Sequence, residues 1–222
     1  MDKLFDRIIS CENLFLAWKE FRRGKRGKTD VQTFEYRLED NLFDIRSRLL
    51  DKSYRHGPYS SFYINDPKSR NIQKARVADR IVHHAIYRAL YPTIDGTFIF
   101  DSYSCRLGKG THKAVDRLEG FIRKASKNYR NRCLVLKCDV RKFFDSVDHG
   151  ILLDAVAKTI KDTDTIWLIR EIVQSFASDS QLAVSRERET TPACGRSRYS
   201  AAREYLSAIW HRSFLPIFTS IS

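Results

Sequence analysis

L-V-L-K-C-D-V-R-K-F-F-D-S-V-D-H, from Leu134 to His149, is the stretch on which the fold turns. It opens with an apolar run bounded by charge, the pattern of a buried strand, and closes that run on one carboxylate, Asp139. A carboxylate beside a buried strand costs on the order of several kcal/mol unless a cation or hydrogen bonds compensate it. A divalent metal is one such partner. The other reading of the same residues is a plain core strand leading into a helix, with Asp148 as its N-cap. The helix itself is written in the spacing of Ile151, Leu152, Ala155, Val156 and Ile160.

Composition narrows what surrounds this stretch. With 222 residues, 42% of them hydrophobic, the chain can bury a core as one large or two small domains. Forty Lys and Arg against 27 Asp and Glu leave a net charge of +13, which calls for an anionic partner. Nucleic acid fits better than a membrane, because no apolar run approaches the roughly 18 residues that span one. Residues Met1 to Ile9 alternate charged and apolar like an amphipathic helix and not like a signal peptide. The five cysteines, Cys11, Cys105, Cys133, Cys138 and Cys194, are scattered and form no C-x-x-C pair, as expected of reduced cytoplasmic thiols.

Leu4 to Phe21 has helical apolar spacing with a break expected near Cys11. In F-R-R-G-K-R-G-K, Phe21 to Lys28, the cations Arg22, Arg23, Lys25 and Arg26 share a loop with glycines that let a phosphate chain approach; a solvated charge run would look the same. Asp30 to Leu50 reads as a second amphipathic helix, with Phe34, Leu38, Leu42, Ile45 and Leu49 on one face. Tyr59 to Ala75 alternates like a β-hairpin around Asn-Asp-Pro-Lys, with Lys68 and Arg70 at its tip, either to grip a triphosphate or as ordinary turn charges.

Arg76 to Leu90 is a strong helix, with Arg76, Arg80 and Arg88 expected outward and Pro92 expected to end it. His83 and His84, adjacent in sequence, cannot form an i, i+4 metal pair and read as packing or polar helix residues. In S-Y-S-C-R-L-G-K-G-T-H-K-A-V, Gly108 and Gly110 flank Lys109 ahead of a helix running toward Lys127, an arrangement open to a phosphate and equally to any loop.

K-S-R-N-I, A-R-V-A-D-R-I-V-H-H-A-I, S-Y-S-C-R-L-G-K-G-T-H-K-A-V and K-C-D-V-R-K-F-F-D-S-V-D-H, in this order and spacing, resemble the N-terminal half of a reverse transcriptase of the bacterial group II intron and diversity-generating element type, over Trp18 to Phe176. The resemblance implies a mixed α/β right-hand polymerase arrangement: fingers with N-terminal helices over 1–130, and the first palm strand and helix over 131–176. It makes Asp139 the first metal-binding carboxylate, beside the Val140 carbonyl, and Phe144 the aromatic residue beneath the incoming sugar. Arg70 and Lys68 would contact the nucleoside triphosphate. Arg76, Arg80, Arg106 and the loop Gly108, Lys109, Gly110 would lie along the template. RNA template, primer, deoxynucleoside triphosphates and magnesium are the implied partners, in the cytoplasm, with any accessory protein unspecified.

Such phosphoryl transfer uses two divalent ions about 3.5–4 Å apart and several converging carboxylates. The family takes the others from a Tyr-x-Asp-Asp turn, and this sequence has no Asp-Asp pair. Past Phe176 the chain turns polar and loses periodicity. Codons for Arg203 to Ile221, read two nucleotides out of register, permit G-I-S-I-G-N-L-A-S-Q-L-F-A-N-I-Y-I-N, the block that the family places next. The expectation is therefore a reverse transcriptase interrupted by a frameshift between about Ala177 and Ala201, inactive by itself, with residues 177–222 a disordered tail. A basic RNA- or DNA-binding module without catalysis is the alternative.

Overall fold

The computed structural model describes residues 3–65, 69–104, 106–138 and 147–176, with the side chain of Arg70 left out. Lys68, Asp139, Val140, Phe144 and the tail from residue 177 lie outside the described residues. Within them the chain is mixed α/β, as expected: eight helices and one two-stranded antiparallel sheet.

The first apolar stretch folds as α1 (Leu4–Ile9) and α2 (Cys11–Phe21), broken at Ser10, where the break near Cys11 was expected. Ser10 Oγ accepts from the Asn13 backbone N–H at 3.2 Å, capping α2. The Asn13 side-chain amide donates to the carbonyls of Ile8 and Ala85, both at 3.0 Å, tying the break to the core.

The single helix expected over Asp30 to Leu50 is two, α3 (Thr29–Tyr36) and α4 (Leu38–Leu50), parted at Arg37, whose φ of −126° and ψ of 49° leave the helical region. The Asn41 amide donates to the freed carbonyl of Phe34 at 3.0 Å, so the break satisfies itself locally. Leu42, Ile45 and Leu49 are buried as expected.

Strands β1 (Ser60–Asn65) and β2 (Ser69–Lys74) form the expected hairpin, in a register that sets Ile64 opposite Arg70 and Phe62 opposite Ile72. Every residue of β1 is exposed. The ribbon therefore depends on its base for orientation, since an isolated two-stranded hairpin is marginal in water.

Helix α5 (Val77–Asp95) is the central element, packed by α1, α2, α3 and α4. It buries Ile81, Ala85, Ile86 and Leu90 against Ile8, Leu14, Ala17 and Phe21. Pro92 does not end it: the helix runs one turn further, where Ile94 is buried. Burial beyond the proline offsets the missing N–H and the ring clash, which alone cost about 3 kcal/mol. Two further expectations are corrected here. Arg80 is buried and not outward, and Arg88 is ion-paired to Glu20, with its Nε donating to Asn13 Oδ1 at 3.1 Å.

Helix α6 (Thr111–Ala125) follows the glycine loop as expected, but buries none of its residues. Helix α7 (His149–Thr159) starts where Asp148 was expected to cap it, the carboxylate accepting from the N–H groups of Gly150 at 2.8 Å and Ile151 at 3.1 Å. Helix α8 (Thr163–Ser175), which the sequence reading does not single out, is capped by Asp162. Asp162 also accepts from Phe5 N–H at 2.7 Å, joining α8 to the start of the chain.

The strand expected over Leu134 to Cys138 is absent. Those residues have no regular structure, and Leu134 and Leu136 are 92% and 87% exposed. A strand is completed by a neighbour's backbone, and no neighbouring strand pairs with this run among the described residues. Apolar periodicity alone does not supply one.

Candidate nucleic-acid interface

The loop that follows α2 is shaped by local backbone bonds, Lys25 N–H to Arg22 O and Lys28 N–H to Lys25 O, both at 3.0 Å. Gly24 sits at φ +69°, a left-handed conformation that glycine adopts without strain. The turn sorts its cations. Arg22 is ion-paired with Glu35. Arg23 and Arg26 are exposed, with no carboxylate partner among the described residues. Lys25 lies 5.4 Å over the Phe21 ring, and its ammonium pKa is lowered by burial and then by the neighbouring charges of Arg80 and Lys28.

Arg80 shares that ring at 4.7 Å. Its guanidinium donates to Asp30 Oδ2 at 2.8 Å, and Lys74, the last residue of β2, reaches the same oxygen at 2.7 Å. Burial raises the Asp30 carboxyl pKa but is outweighed by the hydrogen bond and charge of Lys74 and by Arg80, so the net shift is downward. Arg76 holds the N-cap position of α5, exposed, with no side-chain capping bond and no ion pair among the described residues.

The base of the hairpin is fixed from its other side by Asp79, which is 2% exposed. Asp79 accepts from Tyr54 OH at 2.7 Å and from Gly57 N–H at 3.1 Å. A Cβ on Gly57 would stand 2.8 Å from Arg76 Cδ and 2.9 Å from Asp79 Oδ2, so this approach requires glycine. His56, which sequence reading passes over, stacks on buried His83 at 5.1 Å, with facing Nε2 atoms 3.2 Å apart. The His56 Nδ1–H donates to the Gly57 carbonyl at 2.7 Å, which fixes the ring against the turn. His83 is a fully buried helix residue, one of the two forms, packing or polar, expected of it and His84.

The other candidates gather at the far end of α5. Arg106 is committed to Asp95, with Nε donating at 2.8 Å, and to the carbonyls of Asp95 and Ile99 at 3.1 and 3.0 Å. Gly108 and Gly110 have φ of +71° and +131°, turning the chain into α6. The Lys113 ammonium donates to the Gly108 carbonyl at 2.6 Å. Lys109 lies 4.0 Å over Phe100 and 4.7 Å over Tyr103, and Arg117 lies 4.5 Å over Phe121 while its Nε donates to Asp101 at 2.8 Å. Sequence reading missed Arg117 and Phe100; the signal was the interleaving of aromatic and basic residues from Phe98 to Phe121.

Two basic clusters result. One, around Arg23, Arg26, Arg76 and Arg80, surrounds the start of α5, and the other, around Lys109 and Arg117, adjoins its end. Nineteen helical residues rising 1.5 Å each separate them by about 28 Å. Among the described residues no three His, Cys, Asp or Glu converge in a way that could hold a metal ion, and no helix is long and apolar enough to cross a membrane.

No protein-family profile matches the chain. Three known proteins are similar to it. Protein YkfC of Escherichia coli (strain K12) is 28% identical over 141 residues, 63% of this chain and 36% of that protein. Nuclear intron maturase 2, mitochondrial, of Arabidopsis thaliana is 21% identical over 171 residues, 68% of this chain and 22% of the maturase. Nuclear intron maturase 1, mitochondrial, of the same plant is 24% identical over 150 residues, 61% and 20%. The matched part thus spans between a fifth and about a third of these relatives, and the chain stands in a distant relation to intron maturases.

Proposed function

We propose that this chain is a reverse-transcriptase-like RNA-binding module of group II intron maturase kinship. The observation that carries the reading is the set of cations without carboxylate partners, Arg23, Arg26 and Arg76, beside one end of α5, in a chain of net charge +13 with two intron maturases among its relatives. At 3.4 Å per phosphate along one strand of a duplex, the roughly 28 Å between the two basic clusters spans about eight phosphates. An RNA strand laid along α5 meets the exposed arginines first, then the aromatic and basic surface of Phe100, Lys109 and Arg117.

In this proposal Asp139 is the one carboxylate that the chain contributes to a magnesium site, with the Val140 carbonyl beside it, and the 222 residues do not complete a two-metal set. Lys68, Arg70 and Phe144 keep their proposed roles toward a deoxynucleoside triphosphate, and a primer remains part of the same proposal, with any accessory protein unspecified. The chain acts in the cytoplasm, where its thiols stay reduced. The alternative, a basic RNA- or DNA-binding module without catalysis, predicts the same outcome in the assay that tests for catalysis.

That assay is primer extension on an RNA template with magnesium or manganese, run beside Asp139→Ala. The expected outcome is no extension by either protein, together with RNA binding that weakens steeply as salt rises. Extension above the Asp139→Ala control would overturn the inactive reading. Weak, salt-insensitive binding would overturn the RNA-binding reading.

A further inference from the structure

The contact between Asp30, Lys74 and Arg80 has the chemistry of a phosphate site with a carboxylate in it. One oxygen, Asp30 Oδ2, receives two cations from different elements, Lys74 at 2.7 Å and Arg80 at 2.8 Å. The side chains grow more accessible from Arg80 at 6% through Lys74 at 25% to Asp30 at 36%, so the accepting atoms belong to the most accessible member. Lys25 and Lys28 stand in the same field, the lowered pKa of Lys25 arising from burial and then from Arg80 and Lys28. Two cations thus share one carboxylate oxygen, with Lys25 near enough to Arg80 to feel its charge. Arg80, only 5% exposed, also keeps an Nε–H with no acceptor among the described residues. Donors exceed acceptors here, in a half-buried place where like charges repel more strongly than in water.

We propose that Lys74 and Arg80 form a seat for a backbone phosphate of nucleic acid, and that Asp30 occupies this seat until the strand arrives. The inference rests on the RNA-binding reading and adds to it an internal competitor. A tethered carboxylate outcompetes a free phosphate for the two cations, whereas a strand already held by Arg23 and Arg26 presents its next phosphate at high effective concentration. Two non-bridging oxygens can then take Lys74 and Arg80 separately, where Asp30 offers both the same oxygen.

The test uses the full chain and a fluorescent single-stranded oligoribonucleotide, with affinity measured by anisotropy across a salt series. Asp30→Asn is compared with Asp164→Asn, which makes the same charge change at the Lys52–Asp164 ion pair on α8. Asp30→Asn should bind more tightly than that control, with a log–log salt slope steeper by about 0.7 for the added phosphate. Identical behaviour of the two variants, or loss of affinity in Asp30→Asn, overturns the seat. If the wild-type chain binds no RNA at low salt, it is the RNA-binding reading that has failed.

A second measurement needs no variant to fold. In the wild-type chain the Asp30 carboxyl, followed by carbon NMR, should titrate at higher pH once saturating oligonucleotide has taken its cations. No change overturns the proposal. An equal response to inorganic phosphate alone overturns the strand as the occupant.

Discussion

Arg23, Arg26 and Arg76 are exposed and have no carboxylate partner among the described residues, while Arg106 is bound into Asp95 and three backbone carbonyls. These two states of the same side chain make opposite predictions. Each phosphate neutralised on a single strand contributes about 0.7 to the slope of log affinity against log salt, so replacing the three free arginines with alanine should flatten the slope by about 2. In affinity this is about a hundredfold loss at 0.1 M salt and roughly tenfold at 0.3 M. Stability should stay within about 0.5 kcal/mol, because exposed side chains with no partner leave nothing unsatisfied when removed. Arg106→Ala should do the reverse. It removes one donor from the half-buried Asp95 carboxylate and from each of three carbonyls, for about 1 to 3 kcal/mol of stability, with the salt slope unchanged under conditions where the variant is folded. Anisotropy titrations from low to moderate salt, paired with urea melts followed by circular dichroism, read both quantities. A triple variant that keeps the wild-type slope, or an Arg106→Ala that loses as much slope as the triple, would refute this division of the cations.

Tyr54→Phe removes the donor that Asp79 holds at 2.7 Å in a fully buried place, and urea melts should show a loss of about 1.5 to 3 kcal/mol; a loss below about 0.5 would contradict the bond. Asp162→Ala removes the cap of α8 and the acceptor of Phe5 N–H, and should cost about 1 to 2 kcal/mol at neutral pH. Burial raises the Asp162 pKa, but bonds from Thr165, Phe5 and Asp164 outweigh it, so the folded pKa lies below the unfolded one. Its contribution is therefore present above the unfolded pKa and lost as pH falls through the folded one, and the gap between wild type and variant should close on acidification. His83 is held neutral by burial and then by the charge of His56, and His84 is lowered to about 4 by burial and then by Lys25. Folded pKa values below the unfolded ones mean that unfolding takes up about two protons between roughly pH 6 and 4, so stability in urea melts should fall over that window; a flat profile would count against the buried neutral pair.

What the sequence made legible was what neighbours in the chain decide. The breaks and caps at Ser10 and Asp148, the hairpin around residues 65 to 69 and the periodicity of α2, α4 and α5 each rest on residues a few positions apart. The split at Arg37 escaped because the apolar spacing continues across it, and the run past Pro92 because burial of Ile94 outweighs a local rule. The charges were readable as types and not as states. Nothing in A-R-V-A-D-R shows that Arg80 turns inward to an aspartate fifty positions earlier, or that Arg76, four residues before it, stays in water. Leu134 to Leu136 mark the limit most plainly: the run has the composition of a buried strand and lies exposed without regular structure, because a strand is defined by its partner.

The hairpin shows how the buried and the exchangeable contacts divide their work. No residue of β1 is buried, so the ribbon takes its orientation from its two ends. On the entering side, Tyr54 and Gly57 are bonded to Asp79, a carboxylate 2% exposed, which an anion from solvent does not reach without opening the core. On the leaving side, Lys74 is bonded to Asp30, a carboxylate one third exposed and shared with Arg80. The first anchor resists salt, since a buried neutral donor such as the Tyr54 hydroxyl is insensitive to screening, whereas the second is an ion pair that both salt and phosphate can contest. If Asp30 yields its cations to a strand, the arm keeps its hinge at Tyr54 to Gly57 and exchanges only its second attachment. Arg70, two register positions from Phe62 in the paired ribbon, is then carried by an arm whose position depends on whether nucleic acid is bound.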